Sequence, residues 1–148
     1  MKLQEYINEM KPDFHRLYGE KYQFQVAQSE VHIDLTLNAC IQYVQKLAMS
    51  GKLKEIQDMA TGGAEALKNS TYYAELLGNC AQSYYGLDWE IQRKTALAED
   101  ILVFILDGLK YKFIQGGYSM DQAGVMKFLG LDLGILGKMG GMFGRFFR

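Results

Sequence analysis

Two histidines and two cysteines are the residues of this chain best suited to bind a metal ion or to act as nucleophiles. His15 and His32 stand outside the H-E-x-x-H and E-x-x-H spacings that place metal ligands on one helical face. Cys40 and Cys80 are forty residues apart, a spacing of neither a zinc knuckle nor a redox pair. These spacings favour surface histidines and small buried cysteines, and we expect no metal ion and no cofactor.

Phosphate-binding and hydrolase motifs are missing as well. Gly137-Lys138 comes nearest to a phosphate-binding loop, but Asp132 stands where that loop needs its first glycine. Neither G-x-S-x-G nor G-x-G-x-x-G occurs. Glu99-Asp100 and Asp107 lie near an apolar run, where a buried carboxyl group could act as an acid or base, but a solvated helix edge is favoured. We therefore predict no catalytic residue and a non-enzymatic protein.

Tyrosine is frequent, with ten residues in the chain, and some of these side chains could line a binding pocket. Tyr73 and Tyr84 are the candidates for a pocket between helices that accepts a small ligand or a substrate. The favoured interpretation is a core-edge position, in which the apolar ring is buried and the hydroxyl group reaches water. No small molecule is identified by these residues.

The C-terminal segment, Leu133 to Arg148, is the strongest candidate for a contact surface. It combines five glycines with large apolar side chains and has three basic residues and no acidic one. On a helix its apolar side chains share one broad face, opposite most of its glycines. The predicted apolar contact residues are Leu133, Leu136, Met139, Phe143, Phe146 and Phe147. The predicted basic contact residues are Lys138, Arg145 and Arg148.

Three interpretations of this segment compete. It completes the core of its own domain or is a mobile end; it contacts a protein partner or a second copy; or it binds a lipid surface. Glycines four residues apart, as in Gly137 and Gly141, let two helix backbones approach closely. Phenylalanines with a few basic residues suit weak contact with anionic lipid headgroups. Five glycines destabilise an isolated helix by roughly 4–5 kcal/mol, so the segment needs a surface to pack against.

The elements before this segment are predicted to be helices separated by glycines. Apolar spacing and Pro12 predict two short helices, the second closed by Gly19. Residues 22–37 alternate as in a β-hairpin, but a helix from Ser29 to Met49, ended by Ser50-Gly51, is favoured. A short helix then runs to a break at residues 61–63.

Two capped helices and a short last helix complete the predicted body. Ser70 is expected to cap the next helix, and Asp88 the longest one, by accepting hydrogen bonds from free backbone N–H groups. The run Ile101–Leu106 is apolar all round, which is typical of a central buried helix. Gly116-Gly117 ends it, and Ser119 with Gln122 matches a reciprocal cap for a last short helix.

From Lys52 onward the chain resembles the YidB-like domains, a family of small helical bacterial proteins of unknown function. The resemblance rests on MATGGAEAL, on YYGLDWEIQRKTALAEDILVFILDGL and on the glycine-rich tail, and it covers about two thirds of the chain. It implies an all-helical fold and a bacterial protein. It carries no catalytic residue that could be transferred to this sequence.

Composition completes the predicted architecture. A chain of 148 residues is expected to form one domain, and a net charge of −1 favours no nucleic-acid partner. The N-terminus lacks the pattern of a signal peptide, and no apolar run of the body approaches the about 20 residues of a membrane span, so we expect a cytoplasmic protein. The sequence thus predicts an all-α domain of six to eight helices over residues 1–132, followed by a glycine-rich amphipathic segment, 133–148.

Overall fold

The computed structural model describes residues 2–119, 124, 127 and 128. This part of the chain is all-helical, as predicted, and contains no strand. Its five helices are α1 (Lys2–Tyr22), α2 (Val26–Met49), α3 (Leu53–Lys68), α4 (Tyr73–Gln82) and α5 (Ile91–Gln115). The predicted total of six to eight helices is not confirmed. None of the described helices is long and apolar enough to cross a membrane.

Helix α5 is the centre of the bundle, as its apolar run predicts. It packs against each of the other four helices of the described chain. Ile101, Leu102, Ile105 and Leu106 are all buried, and Phe104 packs edge-on against Phe14 of α1 with ring centroids 5.5 Å apart. A helix that is apolar around most of its circumference is stable only when other helices surround it. This position makes α5 the element to which the other helices attach.

Helix α1 is continuous, so the prediction of two short helices divided at Pro12 is wrong. Proline within a helix removes one backbone hydrogen bond, at a cost of about 3 kcal/mol. Ile7 on one side of Pro12 and Phe14 on the other are both fully buried, and each contributes roughly 1.5–3 kcal/mol. The apolar stripe therefore offsets the proline. Gly19 lies inside the helix, which continues to Tyr22.

Helix α2 confirms the helical interpretation of residues 29–49 over the hairpin. It begins three residues earlier than predicted, at Val26, where the side chain of Gln28 accepts a hydrogen bond from the backbone N–H of Gln25 at 2.8 Å. It ends as predicted at Ser50-Gly51. Gly51 has a φ of 75°, and the backbone N–H of Lys52 donates back to the Leu47 carbonyl at 2.8 Å. This is a Schellman turn, which glycine favours because it tolerates positive φ.

The predicted caps of α4 and α5 are wrong. Helix α4 begins after Tyr72 and α5 after Glu90, neither of which makes a side-chain capping bond. The Ser70 hydroxyl instead serves the turn before α4, where it accepts from the backbone N–H of Tyr72 at 3.3 Å. Asp88 is exposed and lies two residues before the actual cap. Both helices therefore begin without a capping side chain, and α4 packs against α5.

Carboxylates of α5 tie neighbouring helices to it, although a solvated helix edge is predicted for them. Asp100 accepts from the Lys21 ammonium at 2.7 Å and from the Tyr22 hydroxyl, both at the end of α1. Glu99 accepts from the Tyr73 hydroxyl on α4. Both carboxylates are half-buried. Both carboxylates therefore accept hydrogen bonds from side chains of neighbouring helices.

The end of α5 carries a second group of packed rings. The helix stops at Gly116-Gly117 as predicted, and Gly117 has a φ of 68°. Phe128 then packs edge-on against Phe113, with centroids 5.3 Å apart, and stacks on Tyr6 of α1 at 5.8 Å. Gln122 and most of the predicted last helix lie outside the described residues.

Candidate functional site

A kink divides α3 into two arms, residues 53–62 and residues 64–68. Gly63, between them, has φ 67° and ψ −151°, a conformation that is essentially restricted to glycine. The backbone N–H of Ala64, which begins the second arm, donates to Asp107 Oδ1 on α5 at 3.1 Å. Asp107 therefore caps the second arm from another helix. The predicted break at residues 61–63 is a change of direction within α3 and not a gap between separate helices.

The two arms enclose an open groove, named here the α3 groove, with a volume of about 380 Å³. The first arm lines it with Glu55, Asp58, Met59, Thr61 and Gly62. The second arm and the turn after it contribute Ala66, Asn69, Ser70 and Tyr72. The Lys52 ammonium, just before the first arm, lies 5.1 Å from the ring centroid of Tyr72, which follows the second arm. The residue before the first arm and the turn after the second arm thus approach each other.

The charges of the α3 groove are mainly acidic. Asp58 is exposed and makes no ion pair or hydrogen bond within the described part of the chain. Glu55 is half-buried and faces the nearby Lys52. A hydrogen bond with Tyr72 raises the pKa of Lys52, and the carboxylate of Glu55 adds to that effect. Asp58 is therefore the carboxylate of the groove that is left to meet a cation from outside.

Hydroxyl groups add further acceptors to the α3 groove. Thr61 donates to the Gln57 carbonyl at 2.8 Å, and Ser70 donates to the Leu67 carbonyl at 2.7 Å. Each hydroxyl proton is thus used by a backbone carbonyl, while Thr61 Oγ1 can still accept and Ser70 Oγ, which accepts from the Tyr72 backbone N–H, keeps one lone pair. Met59 and Tyr72 supply apolar surface beside these oxygens. A site of acceptors and apolar surface suits a ligand that carries donors, positive charge and apolar groups.

The structure places Tyr73 and Tyr84 in different surroundings. Tyr84 is fully buried, and its hydroxyl is hydrogen-bonded to that of Thr36. Tyr73 is half-buried, and burial together with Glu99 raises the pKa of Tyr73 to about 12. The predicted pocket between these two tyrosines stays a prediction. The neighbouring Tyr72 is the tyrosine that lines the α3 groove.

A group of packed rings, named here the aromatic cluster, joins the ends of α1, α4 and α5 to α2. Its members are Tyr22, Phe24, His32, Tyr84 and Trp89. The Arg93 guanidinium covers Trp89 at 4.0 Å from the ring centroid. Burial raises the pKa of Tyr22, and the hydrogen bond to Asp100 raises it further. The hydroxyl groups of this cluster are used within the fold.

His32 is buried in this cluster, so the prediction of a surface position is wrong. Its ring stacks on Phe24 with centroids 4.9 Å apart and meets Tyr84 edge-on at 5.4 Å. Its Nδ1 lies 2.6 Å from the Gln28 carbonyl oxygen, which can only accept, so Nδ1 carries the proton. Burial lowers the pKa of His32. The sequence signal that was overlooked is the helical stripe Ser29, His32, Thr36, which lies on the buried face of α2.

The remaining residues with metal-binding or nucleophilic potential are dispersed. His15 is half-buried, with Nδ1 2.7 Å from Ser29 Oγ. Both cysteines are free thiols: Cys80 is buried as predicted, while Cys40 is partly buried. Burial raises the pKa of Cys40 to about 11, which keeps that thiol protonated at neutral pH. No group of three or more His, Cys, Asp or Glu able to hold a metal ion occurs among the residues that the structure describes.

The contact residues predicted at the C-terminus, from Leu133 to Arg148, lie outside the described residues. They stay a prediction. Comparison of the chain with protein-family models, with curated proteins and with solved structures finds no match in any of the three.

Proposed function

We propose that this protein is a non-enzymatic helical assembly module, in which residues 133–148 contact a protein partner or a second copy of the chain. The observation that carries the proposal is the opposite charge of the two parts. Residues 1–132 contain 17 acidic and 13 basic side chains, a net charge of −4, whereas residues 133–148 contain three basic and no acidic ones. Opposite charge on two surfaces favours their encounter and their correct register.

Apolar content is the second support. The segment contains the apolar side chains of Leu133, Leu136, Met139, Phe143, Phe146 and Phe147 beside its five glycines. Burial of one such side chain contributes roughly 1.5–3 kcal/mol, so two or three of them suffice to offset the cost of ordering the glycines. A contact made by this segment would therefore combine apolar affinity with charge-based selectivity.

The test compares the full chain with a chain that ends at Gly130. Light-scattering mass is measured over a concentration series, and thermal unfolding shows that the shortened chain keeps its fold. We expect association of the full chain with itself or with a partner, and its loss on truncation. If the two chains have the same mass at every concentration and capture the same partners, the assembly function is wrong.

Contact of the same segment with a lipid surface is the competing outcome. Co-sedimentation with anionic and with neutral vesicles, at low and at high salt, separates the two functions. Binding of the full chain, but not of the shortened one, to anionic vesicles at low salt would indicate that Lys138, Arg145 and Arg148 contact lipid headgroups. Assembly predicts no difference between the two chains in this assay.

A further inference from the structure

We infer that the α3 groove receives residues 133–148 of a second copy of this chain, so that the module assembles with itself. The inference rests on the proposed function and names both the partner and the receiving surface. Two copies that exchange their segments would fill two grooves and form a closed dimer, since each chain offers one groove and one segment.

The size of the α3 groove suits part of a glycine-rich segment. Where the two arms meet, Gly62 and Ala66 line the groove and pack on each other, since a Cβ on Gly62 would clash with that of Ala66. Glycines in the incoming segment would let its backbone lie close to the groove wall. The groove volume of about 380 Å³ lies in the lower range of ligand pockets, which matches a few side chains rather than a whole helix.

The charge of the α3 groove is opposite to that of the segment. Asp58 lacks an ion pair within the described residues, and Glu55 acts on the nearby Lys52 without forming an ion pair there. Glu75 of α4, which also acts on Lys52, is already paired with Lys46 at 3.0 Å. A basic side chain of the segment would thus find Asp58 without displacing an existing partner. Its phenylalanines would meet the half-buried Tyr72 ring, a favourable contact for an aromatic group, while Met59 lines the groove as a buried core residue.

A charge reversal at the groove tests this inference in the full chain. Asp58→Lys replaces one attraction with one repulsion, and Asp88→Lys is the matched control. Asp88 is likewise an exposed aspartate, and it makes no ion pair within the described chain, but it precedes α5 and does not line the groove. Sedimentation at several concentrations gives the dimer dissociation constant. We expect Asp58→Lys to raise it about tenfold and Asp88→Lys to change it less than about twofold.

A photo-crosslink identifies the contact directly. The full chain is made with p-benzoylphenylalanine in place of Phe143, irradiated, and the dimer band is digested and mapped. Crosslinks from one copy to residues 55–72 of the other support the inference. Crosslinks to another surface, or only within one chain, overturn it.

The two proposals fail in different ways. If truncation at Gly130 abolishes association while Asp58→Lys and Asp88→Lys behave alike, the assembly function stands and the α3 groove is not the acceptor. If truncation has no effect on mass or on partner capture, the proposed function itself is wrong. Thermal unfolding of Asp58→Lys is expected to match that of the unchanged chain, because the substituted side chain is exposed.

Discussion

The aromatic cluster and the α3 groove use their polar groups in opposite ways. In the cluster, Tyr22 is bonded to Asp100 and Tyr84 to Thr36, and the ring of His32 lies between two others. In the groove, Asp58 has no partner within the described chain, and the hydroxyl oxygens of Thr61 and Ser70 can still accept. Satisfied polar groups stabilise a fold, whereas exposed acceptors are available for recognition.

Substitutions in the aromatic cluster and in the α3 groove should therefore change different measured quantities. A change in the aromatic cluster should alter the free energy of unfolding, because its side chains are buried and mutually dependent. A change of a groove-lining side chain should alter binding and leave the stability of the fold nearly constant. The kink at Gly63 is the exception, since it forms the groove and is itself a structural feature.

Phe24→Ala should have the largest effect. Phe24 is 7% exposed and packs against Tyr22, His32 and Trp89. Removing a buried phenylalanine ring costs about 3–5 kcal/mol through lost burial and the cavity left behind. Urea unfolding followed by far-UV circular dichroism measures the loss. Tyr85→Ala is the control, because Tyr85 is 84% exposed and its loss should change stability by less than about 0.5 kcal/mol.

Gly63→Ala should have the next largest effect, about 2–3 kcal/mol in urea unfolding. A side chain at this φ and ψ is strained, and a Cβ there would lie 2.9 Å from Asp107 Oδ1 and 3.1 Å from Lys110 Cδ. Gly86→Ala is the matched control, since a Cβ there has open space and no positive φ is involved. It should be neutral or slightly stabilising. Equal stability of the two variants would show that the kink does not depend on glycine.

Thr36→Val tests how much the hydrogen bond between Thr36 and Tyr84 of the aromatic cluster contributes to stability. The Thr36 hydroxyl donates to the His32 carbonyl at 2.7 Å, so the Tyr84 hydroxyl must be the donor to Thr36 Oγ1. Valine leaves that buried O–H group without its acceptor, at a cost of about 1–2 kcal/mol. Thr95→Val near the start of α5, where the hydroxyl donates to the Ile91 carbonyl of its own helix, should cost less. A double variant with Tyr84→Phe should recover part of the loss.

The sequence predicts the helices better than it predicts their ends. Apolar spacing placed α2 and the buried α5, because a stripe on one side or an apolar circumference leaves a periodic signal. The end of α1 carries no such signal: Gln23, with a φ of 56°, takes the position that glycine usually fills. The predicted division of α1 at Pro12 is wrong because burial of the apolar stripe on both sides of the proline outweighs the local preference of proline for a helix end.

The α3 groove depends on contacts that sequence spacing does not show. Residues 61–63 are recognisable as a break, but the direction of the second arm is set by Asp107, more than forty positions away. Whether a carboxylate is solvated or capping depends on which helix faces it, and that is a tertiary property. Tyr72 and Tyr73 are adjacent and identical in type, so only their orientation decides that Tyr72 lines the groove.

The change of stability with pH should be the smallest of the predicted effects. It should again differ between the aromatic cluster and the α3 groove. Burial lowers the pKa of His32 below its ordinary value of 6.5, so the unfolded chain binds the proton more readily than the folded one. The contribution of His32 is therefore fully present above about pH 6.5 and is lost as pH falls toward the lowered folded pKa. One proton limits the slope to about 1.4 kcal/mol per pH unit.

Urea midpoints from about pH 8 to about pH 5 should show a decline that is shallower in His32→Gln. Asp58→Asn should leave the His32 part of the profile unchanged, because Asp58 lies outside the aromatic cluster. An unaltered slope in His32→Gln would mean that the proton enters elsewhere, and that the cluster tolerates a charge as readily as the groove does.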